Sequence, residues 1–319
     1  MPTSVVRGMR RAVAAFGLAA LFALACRPAP QPQTATQPAT ASSPPRAATR
    51  FQVAVSILPQ ADFVERVGGE SIGVAVLVGP GQNPHSFEPT PDQMSALSKA
   101  RVYFRIGLPF EEPLLPKLQA TFRQLEVVDT RQGIQLRRIA AHESGAHADD
   151  EHDHAGGDDP HIWLDPKLVK IQAQTIGDAL CRLDPPHADE YRRNLTAFHA
   201  DLDALDARLA VALAPVKGKD FFVFHPAFGY FADAYGLRQV PVEAEGKEPP
   251  AKVVAALIQR ARAAGVKVIF VQPQFSTRTA AVIAEEIGGA VVPLDDLPRE
   301  YIKSMEAMAE QVRKGLSGG

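Results

Sequence analysis

At 319 residues the chain is long enough for two domains, and hydrophobic and charged fractions of 46% and 22% exclude a disordered, collagen-like or polytopic membrane protein. Lys+Arg 34 against Asp+Glu 36 give a formal net charge of -2, so there is no basic surplus for nucleic acid. The two cysteines, Cys26 and Cys181, cannot form a disulfide framework or a thiolate zinc cluster, which leaves nitrogen and oxygen donors for any metal centre.

Residues 1–25 read as an export signal: Arg7, Arg10 and Arg11 precede an uncharged apolar run, 12–25, that is too short to span a bilayer. Removing it takes away three arginines and no acid, moving the net charge from -2 to -5. Cys26 follows Ala23-Leu24-Ala25, which is similar to a bacterial lipoprotein signal whose cysteine is lipidated; cleavage after Ala25 by an ordinary signal peptidase is the alternative. Lipidation is favoured because 26–50 is rich in Pro, Gln, Thr and Ala, lacks apolar periodicity, and suits a tether.

From Phe51 short β-rich runs alternate with amphipathic stretches, the signature of an α/β protein with mainly parallel sheets. An N-terminal lobe, 51–183, has expected strands at 52–57, 74–78, 101–106 and 126–129 and helices near 60–67, 91–99 and 111–122. Thr90-Pro91-Asp92-Gln93 supplies a capping box with proline at the first helical position. Cys181, in the helical pattern of Ile176, Leu180 and Leu183, is expected to be a buried, inert thiol. A connecting segment, 184–215, carries Tyr191, Leu195, Phe198, Leu202, Leu205, Leu209 and Leu213 at steps of three and four, which predicts one amphipathic helix over 186–214, roughly 40 Å long. A C-terminal lobe, 216–319, repeats the scheme, with strands near 220–224, 239–242, 267–271 and 290–294. The predicted fold is therefore two α/β lobes, each with a mainly parallel four-stranded sheet, bridged by a long rigid helix.

The nine histidines fall into three groups. His187 and His199 lie among charged residues on the long helix and take no role. His142, His147, His152 and His154 sit in a stretch with no apolar residue larger than alanine, predicted to be a mobile loop (142–159) and an auxiliary, weak metal-binding segment. His85, His161 and His225 each stand beside proline and near aromatic residues. His225 directly follows a strand run, as does Asp295, and in open α/β sheets ligands bind at the carboxyl ends of strands. Three imidazoles and the Asp295 carboxylate make a complete shell for a four-coordinate divalent ion such as zinc.

The phrases Ser56-Ile57-Leu58-Pro59, Asn83-Pro84-His85-Ser86-Phe87-Glu88-Pro89, Asp159-Pro160-His161-Ile162-Trp163-Leu164-Asp165-Pro166, Phe224-His225-Pro226-Ala227-Phe228-Gly229-Tyr230 and Phe270-Val271-Gln272-Pro273-Gln274-Phe275 cover essentially the whole chain from Phe51 onward. In them the chain resembles the ZnuA/TroA/PsaA-like solute-binding proteins of bacterial zinc and manganese ABC importers. The resemblance implies an ion held between the lobes at His85, His161, His225 and Asp295. It also gives the His-rich insertion a precedent among zinc importers. Two departures stand out: Gln272 occupies a usual Glu position, and Asp295-Asp296-Leu297 replaces a usual Asp-Pro-Leu, which leaves Asp296 as the alternative fourth ligand.

Neutral imidazole suits Zn²⁺ better than Mn²⁺, and the resemblance implies the same, since manganese-selective members tend to carry a carboxylate at the position of His225; a manganese-selective carrier of the same family is the alternative. The expected function is capture of zinc outside the cytoplasm and delivery to an ABC permease with its cytoplasmic ATPase. No catalysis is expected, a monomer suffices, and membrane contact would come through the lipid anchor on Cys26. Because the ligands must be neutral imidazoles, binding is expected to weaken toward and below about pH 6.5. A periplasmic zinc hydrolase has less support, since no His-Glu-x-x-His pair occurs and a closed shell leaves no water to activate. An adhesin lipoprotein is the third reading.

Overall fold

Two parallel four-stranded sheets, with orders β2-β1-β3-β4 and β6-β5-β7-β8, organise the computed structural model, which describes residues 50–139, 157–243 and 247–318. The 1–25 signal, Cys26 and His142, His147, His152 and His154 lie outside the described residues. The first sheet comprises β1 (Phe51–Val55), β2 (Ile72–Val76), β3 (Val102–Arg105) and β4 (Glu126–Asp129). The second comprises β5 (Asp220–Val223), β6 (Arg238–Pro241), β7 (Val268–Val271) and β8 (Ala290–Pro293). Every ladder is parallel, as in Val53 opposite Val74 and Val102, so each connection must cross over through a helix or long loop.

The observed strands fall within one or two residues of those predicted, and the helices follow suit. The first, α1 (Leu58–Gly68), starts two residues earlier than expected because Pro59 sits in its first turn. Helix α2 (Pro91–Lys99) has the predicted bounds, and its capping box is formed: Gln93 N donates to Thr90 Oγ1 at 3.4 Å while Thr90 N donates to Gln93 Oε1 at 2.8 Å. Helices α3 (Glu111–Thr121) and α4 (Pro166–Leu183) complete the first half. Cys181 is only half-buried, its Sγ 3.5 Å from the carbonyl of Ala188, because it lies on the edge of α4 beside the turn into the next helix.

That next helix, α5 (Ala188–Leu213), buries Tyr191, Leu195, Phe198, Leu202, Leu205, Leu209 and Leu213, the whole predicted stripe. It packs on α1 and α4 and on the C-terminal helix α9 (Tyr301–Ser317). One apolar core therefore runs from β1 and α1 through α5 to Phe221, Phe270 and Tyr301. In the second half α6 (Gly229–Tyr235), α7 (Ala251–Ala263) and α8 (Arg278–Glu286) flank the sheet. The period of two along β5 and the residue after it divides side chains between faces: Phe221 and Val223 enter the shared core, whereas Phe222 and Phe224 enter a second cluster under α7 and α8 with Leu257, Ala261, Ile269 and Ile283. Among the described residues no helix is long and apolar enough to cross a membrane.

Candidate metal centre

The carboxyl end of the second sheet delivers the first components. Chain leaving β5 reaches His225 two residues after the strand; chain leaving β6, β7 and β8 reaches Glu243, Gln272 and the Asp295-Asp296 pair at the same end. His85 comes from the loop between β2 and α2, where Asn83 Oδ1 accepts from His85 N at 2.9 Å and fixes the turn. His161 precedes a short 3₁₀ turn, Ile162–Leu164, whose three side chains are fully buried.

The three imidazoles converge. Each of His85, His161 and His225 offers one ring nitrogen, and these nitrogens all lie within 4.8 Å of one another. Ring centroids are 5.6 Å apart for His85 and His161, 4.6 Å for His85 and His225 and 5.2 Å for His161 and His225. The Nε2 atoms of His161 and His225 are 3.3 Å apart. Two nitrogens bound tetrahedrally at the usual Zn–N length of about 2.0–2.1 Å stand about 3.3–3.4 Å from each other, so this pair has the spacing of zinc ligands. His161 is 1% and His225 6% exposed, and Nε2 of the half-buried His85 is buried without a hydrogen-bond partner. Burial, reinforced by His225 and then His161, pushes the His85 pKa down to about 2, so the ring is neutral and its lone pair is free.

Two carboxylates stand behind the rings. Asp159 Oδ1 lies 2.7 Å from His161 Nδ1 and accepts from His161 N at 3.0 Å. Glu243 Oε1 lies 2.6 Å from His225 Nδ1. With a proton on Nδ1 each pair leaves Nε2 facing the centre as a donor atom, the arrangement by which outer carboxylates orient metal-binding histidines. The backbone of His225 is also held: its N–H donates to Gln272 Oε1 at 3.2 Å and its carbonyl accepts from Gln272 Nε2 at 2.8 Å. Phe275 stacks on the His225 ring at 4.8 Å and Trp163 packs against His161 at 5.1 Å, closing the apolar walls.

The two adjacent aspartates have different fates. The Asp295 side chain is exposed and accepts from Leu297 N at 3.0 Å, so it caps its own turn and does not join the imidazoles. Asp296 is 3% exposed, its Oδ1 is buried without a hydrogen-bond partner, and its backbone carbonyl accepts from Trp163 Nε1 at 2.6 Å. Burial pushes its carboxyl up to about 7, while His225 nearby acts in the opposite direction. Of the two aspartates Asp296 is the buried one, and neither is among the residues whose ligand atoms cluster within 4.8 Å, which are His85, His161 and His225. His187 and His199 are remote from this centre, paired with Asp184 and with the carbonyl of Lys170.

Sequence reasoning missed the two orienting carboxylates. Asp159 stands two residues before His161, and that spacing was the available signal. Glu243 stands 18 residues from His225 and is brought to it only by the pairing of β5 with β6.

Comparison with known proteins gives concordant results. The family model for the periplasmic zinc-uptake complex component A, ZnuA, matches residues 53–315. A Treponema pallidum (strain Nichols) protein described as metal-binding is 31% identical over 275 residues, covering 83% of this chain and 86% of that protein. The high-affinity zinc uptake system protein ZnuA of Bacillus subtilis (strain 168) is 28% identical over 272 residues, covering 84% and 82%. The chain spans only 55% of the length of the zinc-binding protein AdcA of Streptococcus pyogenes, which it also matches at 27% identity. Among solved structures, a crystal structure of ZnuA superposes with a TM-score of 0.76 at 40% identity over 84% of this chain and 100% of that one.

Proposed function

The chain belongs to the periplasmic zinc-uptake component A family, and we propose that its zinc is held between the lobes by His85, His161, His225 and Asp296. It is a zinc-binding solute-binding protein of a zinc uptake system, and its family works outside the cytoplasm with the permease and ATPase of an ABC importer. The observation that carries the ligand assignment is the 3.3 Å separation of two Nε2 atoms, with a third imidazole nitrogen converging on them. Asp296 replaces Asp295 in the proposal because its unpartnered Oδ1 is buried at the same strand end, whereas Asp295 is spent on Leu297 N.

Zinc is cargo here. Three neutral imidazoles and one carboxylate give a four-coordinate shell with one negative charge, which fits Zn²⁺ better than Mn²⁺, an ion served by more oxygen donors. A full shell has no open position for water, so binding proceeds without hydrolysis. X-ray absorption at the zinc edge tests the shell: three imidazole nitrogens and one oxygen at about 2.0–2.1 Å are expected in the wild type, and two imidazoles in His225→Ala. A wild-type spectrum with fewer than three imidazoles would contradict it.

The proposal extends to the segments outside the described residues. Cys26 would carry the lipid anchor, 27–50 would be the tether, and His142, His147, His152 and His154 would bind zinc weakly in addition to the main site. Incorporation of labelled fatty acid that is lost in Cys26→Ala tests the anchor.

A further inference from the structure

Asp159 divides its two carboxylate oxygens between two tasks. Oδ1 serves His161, while Oδ2 faces Arg137 Nη1 at 3.5 Å. The same guanidinium reaches across to α6, where Nε lies 3.2 Å from Asp233 Oδ2 and the plane sits over the Tyr230 ring at 5.7 Å. Backbone contacts tie the unit together: Arg137 N donates to Tyr230 Oη at 3.0 Å, the Tyr230 hydroxyl donates to Asp159 O at 2.9 Å, and Asp159 N donates to Arg137 O at 2.8 Å. Space for the guanidinium exists because residue 229 is glycine. A Cβ there would stand 1.2 Å from Arg137 Nη1 and 2.9 Å from Asp159 Oδ2.

We propose that Arg137 is an interlobe positioning residue: seated in the notch left by Gly229 at the start of α6, it holds the Asp159 carboxylate that aims His161 at His225. The proposal rests on the metal site assigned above. An ordinary surface ion pair would contribute little, since solvent screens both partners and the side chains pay entropy to meet. This one differs because Asp159 is 1% exposed and is already committed to His161 through its other oxygen. Moving the guanidinium frees the carboxylate to turn, and the imidazole turns with it. Because the anchors of Arg137 lie on α6, zinc bound to His161 would also favour the lobes staying together, and loss of Arg137 should appear mainly as faster release.

The test uses the full chain with Zn²⁺ in chelator competition, stopped-flow release, and the visible absorption spectrum of the Co²⁺-loaded protein. Arg137→Gln is expected to weaken zinc about 10- to 100-fold, the range for outer residues that orient metal ligands, with faster release and a changed Co²⁺ spectrum. Arg137→Lys, which keeps the charge but cannot reach both Asp159 and Asp233, should fall between. Gly229→Ala should reproduce the loss by displacing the guanidinium, yet add little in the Arg137→Gln background, because both changes remove one interaction. Asp233→Asn, an exposed change that leaves the fold intact, should speed release to a smaller extent. Wild-type affinity and an unchanged Co²⁺ spectrum in Arg137→Gln, or losses from the two changes that add in full, would overturn the proposal. If His161→Ala kept wild-type zinc affinity, the site assignment itself would fail, a result separable from any Arg137 variant.

Discussion

At His85 desolvation sets the protonation state more than charge does, and this alters the pH dependence expected from sequence. A free imidazole would compete with zinc below about pH 6.5, but His85, with a pKa of about 2, is neutral long before that. As the proposed fourth ligand, the Asp296 carboxyl, pushed up to about 7, has a proton to lose before zinc could bind through it. Calorimetry at pH 6 in buffers of different ionisation enthalpy should therefore show close to one proton released from this carboxyl, and Asp296→Asn should abolish that component. In the metal-free protein the sign is fixed by linkage. The folded chain keeps a proton on Asp296 that the unfolded chain gives up near 3.8, so this contribution to stability is present below 3.8 and lost as pH rises through about 7. Thermal melts of metal-free Asp296→Asn should match the wild type near pH 4 and exceed it at pH 8; equal melting temperatures at both values would contradict the burial of that carboxyl. Gln272 holds the backbone of His225. Its amide both donates to and accepts from the His225 backbone, and Gln272→Leu should weaken zinc about 10-fold in chelator competition through a displaced His225.

Among the elements, α5 decides whether the lobes are one folding unit. Its seven stripe residues were legible in the sequence because a period of 3.6 is local information, and the same holds for β5, whose alternation separates two cores. The histidines could be singled out for a similar reason, since each sits in a proline-bearing phrase at a strand or helix boundary. What escaped the sequence is non-local or decided by a single turn. Glu243 meets His225, and Arg137 meets Gly229, only after β6 and α6 have docked. Which of two adjacent aspartates is buried depends on where β8 ends, and the Asp295 turn that caps Leu297 N leaves Asp296 buried. Leu202, fully buried on α5, tests the element: Leu202→Ala should cost about 2–5 kcal/mol and lower one cooperative melting transition of the metal-free protein. Two transitions with only one displaced would show that the core does not pass through α5 as a unit.

For the whole molecule, two sheets of identical strand order face their carboxyl ends toward one site, and a shared core holds them there. The proposed ligands all lie outside residues 142–154, so deleting that segment should leave the tight site intact by calorimetry and remove only weak additional binding. Competitive titration of Zn²⁺ and Mn²⁺ into metal-stripped protein, followed through Trp163, whose indole lies 5.1 Å from the His161 ring, reads out zinc capture at the interlobe histidines. One tight zinc site, much weaker for manganese and lost in His85→Ala and in His225→Ala, is the predicted result; tight zinc binding that survives both substitutions would contradict the account.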